Sequence, residues 1–334
     1  MLPPRPQWDK LRLGKRAGRG METGQVADVT QAREPDRQLC GWRVRTDVPL
    51  PELLPWTGDA AHPPDIQIRL GPLPGSPQDD AEVTVDGEGA LLLHIPGLVR
   101  LRVEGGHTIQ LHVLNPGTAD WRLFLLGSGI GYLCHQRGLF PLHAACLDLG
   151  GRAQGGPALA IAGPSGAGKS TLATALARRG HALLSDDIAV LEVTAQGAVV
   201  RPTFPRLKLW AQSLAAFDIA SAGLQPVRTG LEKFDLSAGL TFDPAPRPLG
   251  AIVLLDTADI CALARVSQVA AVPLLSSQVF RPQAAVLLGR QAALFAQCAA
   301  LARAVPVYRL SRPKTFATLD AICDLIEAQV TPRP

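Results

Sequence analysis

The chain has 334 residues, enough for about two domains, and 47% of them are hydrophobic and 19% charged, which is typical of a folded protein. Its formal net charge of +4 is concentrated in residues 1–20, where six basic residues accompany one acidic residue. The remainder is close to neutral, so the net charge is no evidence for a nucleic-acid surface on the folded part, and no nucleic-acid partner is expected.

The N-terminal stretch and the cysteines both bear on where the protein functions. Residues 1–40 are polar and aperiodic and predict a disordered basic leader, with Met21 as an alternative start. The six cysteines lack the C-x-x-C spacing of a zinc site and are expected to be reduced, buried thiols. No run approaches about 18 consecutive apolar residues, so no membrane span is expected. Together these features favour the cytoplasm.

Residues 41–118 contain short alternating segments separated by proline and glycine. Examples are DIQIRL at 65–70, the run at 81–85 and the run at 91–95. Residues 99–114 predict a hairpin around Gly105–Gly106. The pattern predicts a small, mostly antiparallel β domain without catalytic residues.

Residues 119–334 alternate helical and strand-like patterns and predict a second, α/β domain with a mixed sheet. Helices are expected at 119–136, 284–304 and 315–328. Strands are expected at 140–149, 157–162, 181–185, 188–193, 249–255 and 306–310.

A phosphate-binding loop follows the strand at 157–162. Residues 158–171 read ALAIAGPSGAGKST, in which Gly163, Gly168, Lys169 and Ser170 fit G-x-x-x-x-G-K-[ST] between an apolar strand and a helix. The glycines admit positive φ, and the backbone amides with the helix N-terminus bind phosphate oxygens. A lysine adds a full positive charge, and a serine hydroxyl suits the coordination shell of Mg²⁺.

This motif predicts ATP and Mg²⁺ as cofactors. Ser170 is the expected metal ligand within the loop, and Lys169 is expected to act on the outer phosphates. The predicted nucleotide-binding residues are Gly163, Pro164, Ser165, Gly166, Ala167, Gly168, Lys169, Ser170 and Thr171.

Two adjacent carboxylates follow the next predicted strand. Asp186 and Asp187 come 17 and 18 residues after Lys169, at the end of HALLS. In open α/β sheets ligands bind at the carboxyl ends of the strands, so the pair is expected beside the phosphate loop. One carboxylate can serve the metal and the other can accept a proton. His143, in the preceding strand, is a candidate to orient one of them.

The segments LHAACLDLGGRA and ALAIAGPSGAGKSTLATALARRGHALLSDDIAVL resemble the C-terminal domain of the HPr serine kinase/phosphorylase family. The resemblance spans roughly residues 120–330. It is closer to an HPr-kinase-related branch, some of whose members accompany peptide-modification genes, including those of lasso peptides. It implies a P-loop fold shared with phosphoenolpyruvate carboxykinases, phosphoryl transfer to a serine of a protein or peptide, and a possible homo-oligomer.

The resemblance also implies residue roles. His143 would hydrogen-bond the catalytic aspartate, which would be Asp186. Asp187 would join Ser170 in the Mg²⁺ shell. The long glycine-rich signature that contributes to the reverse reaction in the HPr enzymes is missing after Glu192, so the resemblance does not extend to phosphorylase activity.

Two alternatives stay open from the sequence. One is a small-molecule kinase with the same loop, and the other is an ATP-binding switch with little turnover. Four basic residues that could contact phosphate or peptide are given no role at this stage: Arg206, Lys208, Lys233 and Arg281.

Overall fold

The computed structural model of the chain describes residues 34–74, 82–151, 155–237 and 239–330. The predicted leader therefore lies mostly outside the described residues. The last residues of the leader differ from the prediction of disorder, because Arg37–Leu39 is already a strand of the first sheet. No helix of the described segments is long and apolar enough to cross a membrane.

The first sheet contains eight strands within the described residues, in the spatial order β3-β1-β2-β4-β8-β7-β6-β5. The strands are β1 (Arg37–Leu39), β2 (Trp42–Thr46), β3 (Leu54–Pro55), β4 (Ile66–Leu70), β5 (Glu82–Val85), β6 (Leu91–Ile95), β7 (Val99–Glu104) and β8 (Thr108–Val113). Most neighbours are antiparallel, but β4 pairs in parallel with both β2 and β8. Along β7 the residues alternate buried and half-buried, which places one face of the sheet against a core.

A helical segment covers that core. It consists of α1 (Trp121–Phe124), a π-helical turn at Leu125–Gly129 and α2 (Ile130–Arg137), where a single helix is predicted from the sequence. The π-helical turn contains the sequence Gly-Ser-Gly, whose small side chains make few contacts that would maintain regular α-helical geometry. Trp121, Phe124 and Leu125 belong to the same hydrophobic cluster as Leu101 of β7. The helix predicted to open the second domain thus shares the core of the first sheet.

The remaining chain builds a nine-stranded sheet and its helices, again among the described residues. Its elements are β9 (Phe140–Leu142), β10 (Ala144–Asp148), β11 (Ala158–Ala162), α3 (Lys169–Arg178), β12 (Leu183–Ser185), β13 (Ala189–Val193), β14 (Ala198–Arg201), β15 (Leu207–Trp210), α4 (Ala211–Ala216), β16 (Lys233–Leu236), β17 (Arg247–Thr257), β18 (Ala262–Arg265), α5 (Gln268–Ser277), α6 (Pro282–Leu287), α7 (Gln291–Ala304), β19 (Val307–Arg312) and α8 (Leu319–Val330). Strands β15 and β16 form a separate two-stranded ribbon.

Helices cover both faces of the nine-stranded sheet. Ala144 and Cys146 of β10 face a cluster that includes α5 and α7. Ala145 and Leu147 face a cluster that includes α3 and α8. Strand β11 is buried along its whole length, as expected for a strand covered on both sides. The predicted α/β class with mixed sheets is confirmed, whereas the division into two domains stays a prediction.

Several predicted elements differ in detail. The strand expected over 140–149 is broken at His143, because β9 pairs with β13 while β10 pairs with β11 and β12. The helix expected over 284–304 is interrupted by a turn at Gly289, whose φ is +66°. Helix α5 was missed in the sequence; its N-cap Ser267 accepts a hydrogen bond from the amide of Ala270.

Strand directions bring the chemical motifs to one edge of the sheet. Strand β10 is antiparallel to both β11 and β12, so β11 and β12 run in the same direction and end at the same edge. The glycine-rich loop follows β11, and Asp186–Asp187 follows β12. His143 immediately precedes β10, so it lies at that edge too. Strand β19 is parallel to β17, which is parallel to β11, so Arg312 also arrives there.

Stability should depend strongly on the inward face of the first sheet. Leu101 of β7 is fully buried, whereas Leu70 of β4 is 46% exposed. Leu101→Ala should lower the free energy of unfolding by about 2–5 kcal/mol through lost apolar contacts and the cavity left behind. The same truncation at Leu70 should change it by less than about 0.5 kcal/mol. Denaturant titration of both variants measures the difference, and equal effects would contradict the assigned faces.

Candidate functional site

A cleft of about 360 Å³ opens at this edge of the sheet. It falls in the size range of small-molecule sites. The lining residues come from the glycine-rich loop, the aspartate pair, the β15–β16 ribbon and the segment after β19. They are His143, Ser165, Gly166, Ala167, Gly168, Lys169, Ser170, Thr171, Asp186, Asp187, Lys208, Trp210, Gln212, Ser213, Lys233, Arg312, Lys314, Thr315, Phe316 and Leu319.

The predicted loop residues from Ser165 to Thr171 all line the cleft. Gly163 and Pro164 do not, but they hold the lysine of the motif. Lys169 Nζ donates to the carbonyl oxygen of Gly163 at 2.8 Å and to that of Pro164 at 3.2 Å. The ammonium is therefore bonded to its own loop and has to leave those carbonyls to reach an anion in the cleft.

Lys169 is buried at the start of α3. Burial disfavours the charged amine and lowers the pKa of Lys169 to about 8, although the charges of Asp187 and Asp186 oppose the shift. Lys169 thus titrates at a pH that solution experiments reach easily.

Arg312, at the end of β19, supports the loop from the other side. Its Nη2 donates to the carbonyl oxygen of Ala167 at 2.7 Å. Gly168 beside it has φ of +93°, and a Cβ at that position would lie 2.5 Å from Arg312 Nη2. Glycine is required here both for the backbone conformation and for the approach of the guanidinium.

Asp186 is bound to the start of α3, the helix that follows the glycine-rich loop. Ser170 Oγ donates to the carboxylate of Asp186, with distances of 2.9 Å to Oδ1 and 3.2 Å to Oδ2. The backbone amide of Lys208 donates to Oδ2 at 2.9 Å. The serine of the loop and the first aspartate therefore form one oxygen-rich cluster, although they are 16 residues apart.

Asp187 turns away from that cluster. Its φ of +73° lies in the left-handed region, which a non-glycine residue adopts at some cost and which aspartate tolerates better than most. Lys208 Nζ donates to Asp187 Oδ2 at 2.8 Å, and His143 Nε2 lies 3.4 Å from Oδ1. Lys208 thus contacts both aspartates, one through its backbone and one through its side chain.

The surroundings of Asp187 favour its ionised form. Burial alone would raise the pKa of Asp187, but the charge of Lys208 and the contact with His143 outweigh it and hold that pKa well below its ordinary value. The backbone of His143 is fixed as well, because its amide donates to the carbonyl oxygen of Gln278 at 2.8 Å. The ring meets Phe280 edge to face with centroids 5.9 Å apart.

The contacts of the pair are the reverse of those expected. His143 was expected to contact Asp186, and Asp187 was expected to accompany Ser170. In the structure Asp186 contacts Ser170, and Asp187 contacts His143. The reason is the left-handed turn at Asp187, which sends two neighbouring side chains to different partners. Which of the two takes which chemical role remains a prediction.

The β15–β16 ribbon contributes residues to the cleft that were not predicted from the sequence. In the stretch RLKLW, Leu207 and Leu209 are buried in the core while Lys208 and Trp210 line the cleft. Such alternation is typical of a strand, and it could have predicted that Lys208 and Trp210 lie on the same face of that strand. Lys233 of β16 pairs with Trp210 and joins the same wall. Arg206 and Arg281 are not among the residues that line the cleft.

The cleft is positively charged overall. Lys169, Lys208, Lys233, Arg312 and Lys314 outnumber the two carboxylates. A polyanion such as a triphosphate is therefore favoured electrostatically.

The oxygen donors fit a magnesium ion that shares its shell with phosphate. The described residues contain no group of three or more His, Cys, Asp or Glu side chains able to hold a metal by themselves. Mg²⁺ commonly takes only one or two protein carboxylates and completes its shell with phosphate oxygens and water. The Ser170 hydroxyl and the Asp186 carboxylate, already within hydrogen-bond distance, are hard oxygen donors of the required kind.

Comparison with known proteins adds little to this geometry. No protein-family model matches the chain, and no curated protein matches it. Among solved structures it is similar to the Hpr(Ser) kinase/phosphatase from Coxiella burnetii, with 15% sequence identity over 57% of this chain and 93% of that chain, and a TM-score of 0.28. A likeness this distant carries no argument about activity, which has to come from the site itself.

Gly168 provides a direct test of the loop geometry. Gly168→Ala should lower the free energy of unfolding by more than about 1 kcal/mol, because alanine is strained at positive φ and displaces Arg312. Gly197→Ala is the matched control, since a Cβ there meets nothing within 4 Å and the backbone is not left-handed. It should be neutral or stabilising by about 0.4–1 kcal/mol. Chemical denaturation compares the two, and equal losses would contradict the described loop.

Proposed function

We propose that the protein is a Mg²⁺- and ATP-dependent kinase that transfers the γ-phosphoryl group to a serine-type hydroxyl of a protein or peptide. The observation that carries the proposal is the arrangement of the aspartate pair beside the glycine-rich loop. Asp186 contacts the loop serine, while Asp187 contacts His143 and Lys208 in the same cleft. Phosphoryl transfer needs a site for the metal and a separate acceptor for the hydroxyl proton.

The loop and its basic neighbours would bind the triphosphate. Backbone amides from Ser165 to Ser170 and the N-terminus of α3 offer hydrogen bonds and a partial positive charge to phosphate oxygens. Lys169 exchanges its two loop carbonyls for the outer phosphates. The exposed rings of Trp210 and Phe316 give the cleft two aromatic surfaces suited to stacking a base.

Ser170 and Asp186 would hold the metal. When bound, Mg²⁺ neutralises charge on the β- and γ-phosphates and orients them for in-line transfer. This assignment exchanges the two aspartate roles implied by the family resemblance, because Asp186 is the carboxylate already bonded to Ser170.

Asp187 would accept the proton of the attacking hydroxyl, with His143 orienting the carboxylate. Its low pKa makes it a weak base while Lys208 is bonded to it. An anionic phosphoryl group entering the cleft competes for the ammonium of Lys208, which frees one oxygen of Asp187 and raises its basicity. In a loose transition state charge stabilisation contributes more than the base, so a weak base is sufficient.

The acceptor class follows from the resemblance of the motif set to the HPr serine kinases. The chain's own residues support it in one respect: the Asp187 side chain lines the cleft and is 32% exposed, so a hydroxyl group can approach it. Cytoplasmic location and homo-oligomer formation stay predictions.

The two aspartates should behave differently when each is replaced by asparagine. Asp187→Asn keeps a residue that tolerates positive φ and should lower kcat by about 10²–10⁴-fold, the usual contribution of a general base, with ATP still bound. Asp186→Asn should raise the Mg²⁺ concentration needed for half-maximal activity. γ-Labelled ATP and a pool of serine peptides report transfer, and calorimetry reports ATP binding.

The outcome distinguishes three functions. A peptide labelled on serine supports the proposal, and a labelled small molecule in a cell extract supports the small-molecule kinase. ATP binding that survives both substitutions, with no acceptor labelled, indicates a nucleotide-binding switch. If instead Asp186→Asn loses turnover at saturating Mg²⁺ while Asp187→Asn does not, the exchanged roles are wrong.

ATP binding should depend on pH through Lys169. Bound phosphates favour the ammonium, so the pKa of Lys169 in the complex is above its value of about 8 in the free protein. Affinity should be flat below about pH 8, where the amine is charged in both states. Above it, binding requires proton uptake, and affinity should fall by up to about tenfold per pH unit. The last phosphate proton is already lost near pH 6, so ATP itself contributes no slope.

A fluorescent ATP analogue titrated from pH 7 to 10 at saturating Mg²⁺ measures this dependence. Lys169→Arg stays charged over the whole range and should bind without the slope, though more weakly. A slope that persists in Lys169→Arg would assign the titration to another group.

A further inference from the structure

A second cavity of about 600 Å³ lies where the turn before β3 and the start of α1 meet the β15–β16 ribbon and the loop that precedes β16. The first half of the chain contributes Pro51, Glu52, Asp120 and Arg122 to its wall. The second half contributes residues of 205–206 and 223–237. Cavities of this size at the junction of two structural units are common ligand sites.

The charged groups in this cavity are incompletely satisfied. Glu52 Oε1 lies 3.9 Å from Arg122 Nη1 and 4.0 Å from Arg206 Nη1, which are ion pairs longer than hydrogen bonds. Glu52 Oε2 and Arg122 Nε are buried, and neither has a hydrogen-bond partner among the described residues. Buried polar atoms are normally bonded, so this group of side chains is arranged as expected for a site that is completed by a ligand.

The wall favours a ligand with a cation and an apolar group. The carboxylates of Glu52, Asp120 and Asp235 outnumber the guanidinium groups of Arg122 and Arg206. Asp235 accepts a hydrogen bond from Arg206 Nε at 2.7 Å, whereas the Asp120 carboxylate accepts longer bonds of 3.4 Å from the amide of Thr229 and is less engaged. The apolar part of the wall consists of Pro51, Leu123, Pro205, Leu224, Pro226 and Val227.

The ribbon connects this cavity to the candidate active site. Asp235 lines the second cavity, and its Cα partner across the ribbon is Lys208, which lines the first. Directly opposed strand residues are about 5 Å apart, and Lys208 reaches Asp187 with its side chain. The path from the Cα of Asp235 through Lys208 to Asp187 is therefore at most about 14 Å, a span that three to four residues of extended peptide cover together with the serine side chain.

We propose that the second cavity binds the acceptor peptide, holding a basic residue next to an apolar residue about three positions from the phosphorylated serine. That the peptide contains an acceptor serine rests on the proposed kinase function. The preference for the flanking basic and apolar residues rests on the cavity alone. Asp120 pairs with the peptide cation, and the proline-rich wall packs against the apolar side chain. The first sheet and α1 thereby determine which serine is presented to Asp187.

Two peptide pools test this specificity. Each peptide has one serine and a leucine–lysine pair three residues before or after it; the matched pool has leucine–glutamate. With γ-labelled ATP the lysine pool should have a KM at least tenfold lower. Asp120→Asn should reduce that preference to less than threefold, because the substitution removes the charge that selects the cation.

A cavity-filling variant tests the location. Gln225 is exposed at the cavity wall, and Gln225→Trp should raise the KM for the lysine pool at least tenfold. Gln196→Trp, on an exposed turn outside both cavities, is the matched control and should leave that KM unchanged. Thermal melting of both variants shows that they are folded. An unchanged KM in folded Gln225→Trp would overturn the proposal while leaving the kinase intact.

A binding measurement separates the two proposals. Fluorescent peptides of both pools are titrated by anisotropy into the wild-type protein and into Gln225→Trp. If the lysine pool binds and Gln225→Trp weakens that binding, but no phosphoryl transfer occurs, the peptide site is supported and the kinase proposal is overturned. Absence of both binding and labelling overturns the peptide site, and so does binding that Gln225→Trp does not change.

Discussion

The site depends on a single electrostatic constraint: two neighbouring carboxylates share one cleft, where each needs its own partners to offset their mutual repulsion. Lys208 meets that constraint by donating its backbone amide to Asp186 and its ammonium to Asp187. The left-handed backbone at Asp187 completes the separation, because it directs the second carboxylate toward His143 and the first toward Ser170. The pair can therefore divide into a metal-side group and an acceptor-side group, which is what the proposed reaction requires.

The fold supplies the positions for these groups through strand direction alone. Since β10 is antiparallel to both β11 and β12, the loop after β11, the aspartates after β12 and His143 before β10 share one edge. Helices on both faces bury β11 completely and hold the start of the loop rigid. Arg312 then fixes the loop from β19 by bonding the carbonyl of Ala167. The ends of buried strands thus position the glycine-rich loop, the aspartate pair, His143 and Arg312.

The first sheet is connected to the site through the β15–β16 ribbon. One side of the ribbon packs Leu207 and Leu209 into the core, while the other side presents Lys208 to the cleft. Arg206, just before β15, pairs with Asp235 of β16 and lies 4.0 Å from Glu52, a residue of the first half of the chain. A change in the packing of the first sheet can therefore alter the environment of Lys208, which gives this half of the chain a physical means of influencing the site.

The sequence by itself determined the α/β class and identified the glycine-rich loop and the aspartate pair that line the cleft, because these depend on local spacing and on residue types with few alternative uses. It did not determine that His143 breaks a strand, that Asp187 adopts a left-handed backbone, or that Lys208 bonds both carboxylates. Those features depend on which strands pair and on a residue 21 positions beyond Asp187, and no local pattern encodes such contacts. The exchange of partners between Asp186 and Asp187 is the clearest case: the sequence predicted that the two carboxylates divide their roles, and only the tertiary structure decided which neighbour each one meets.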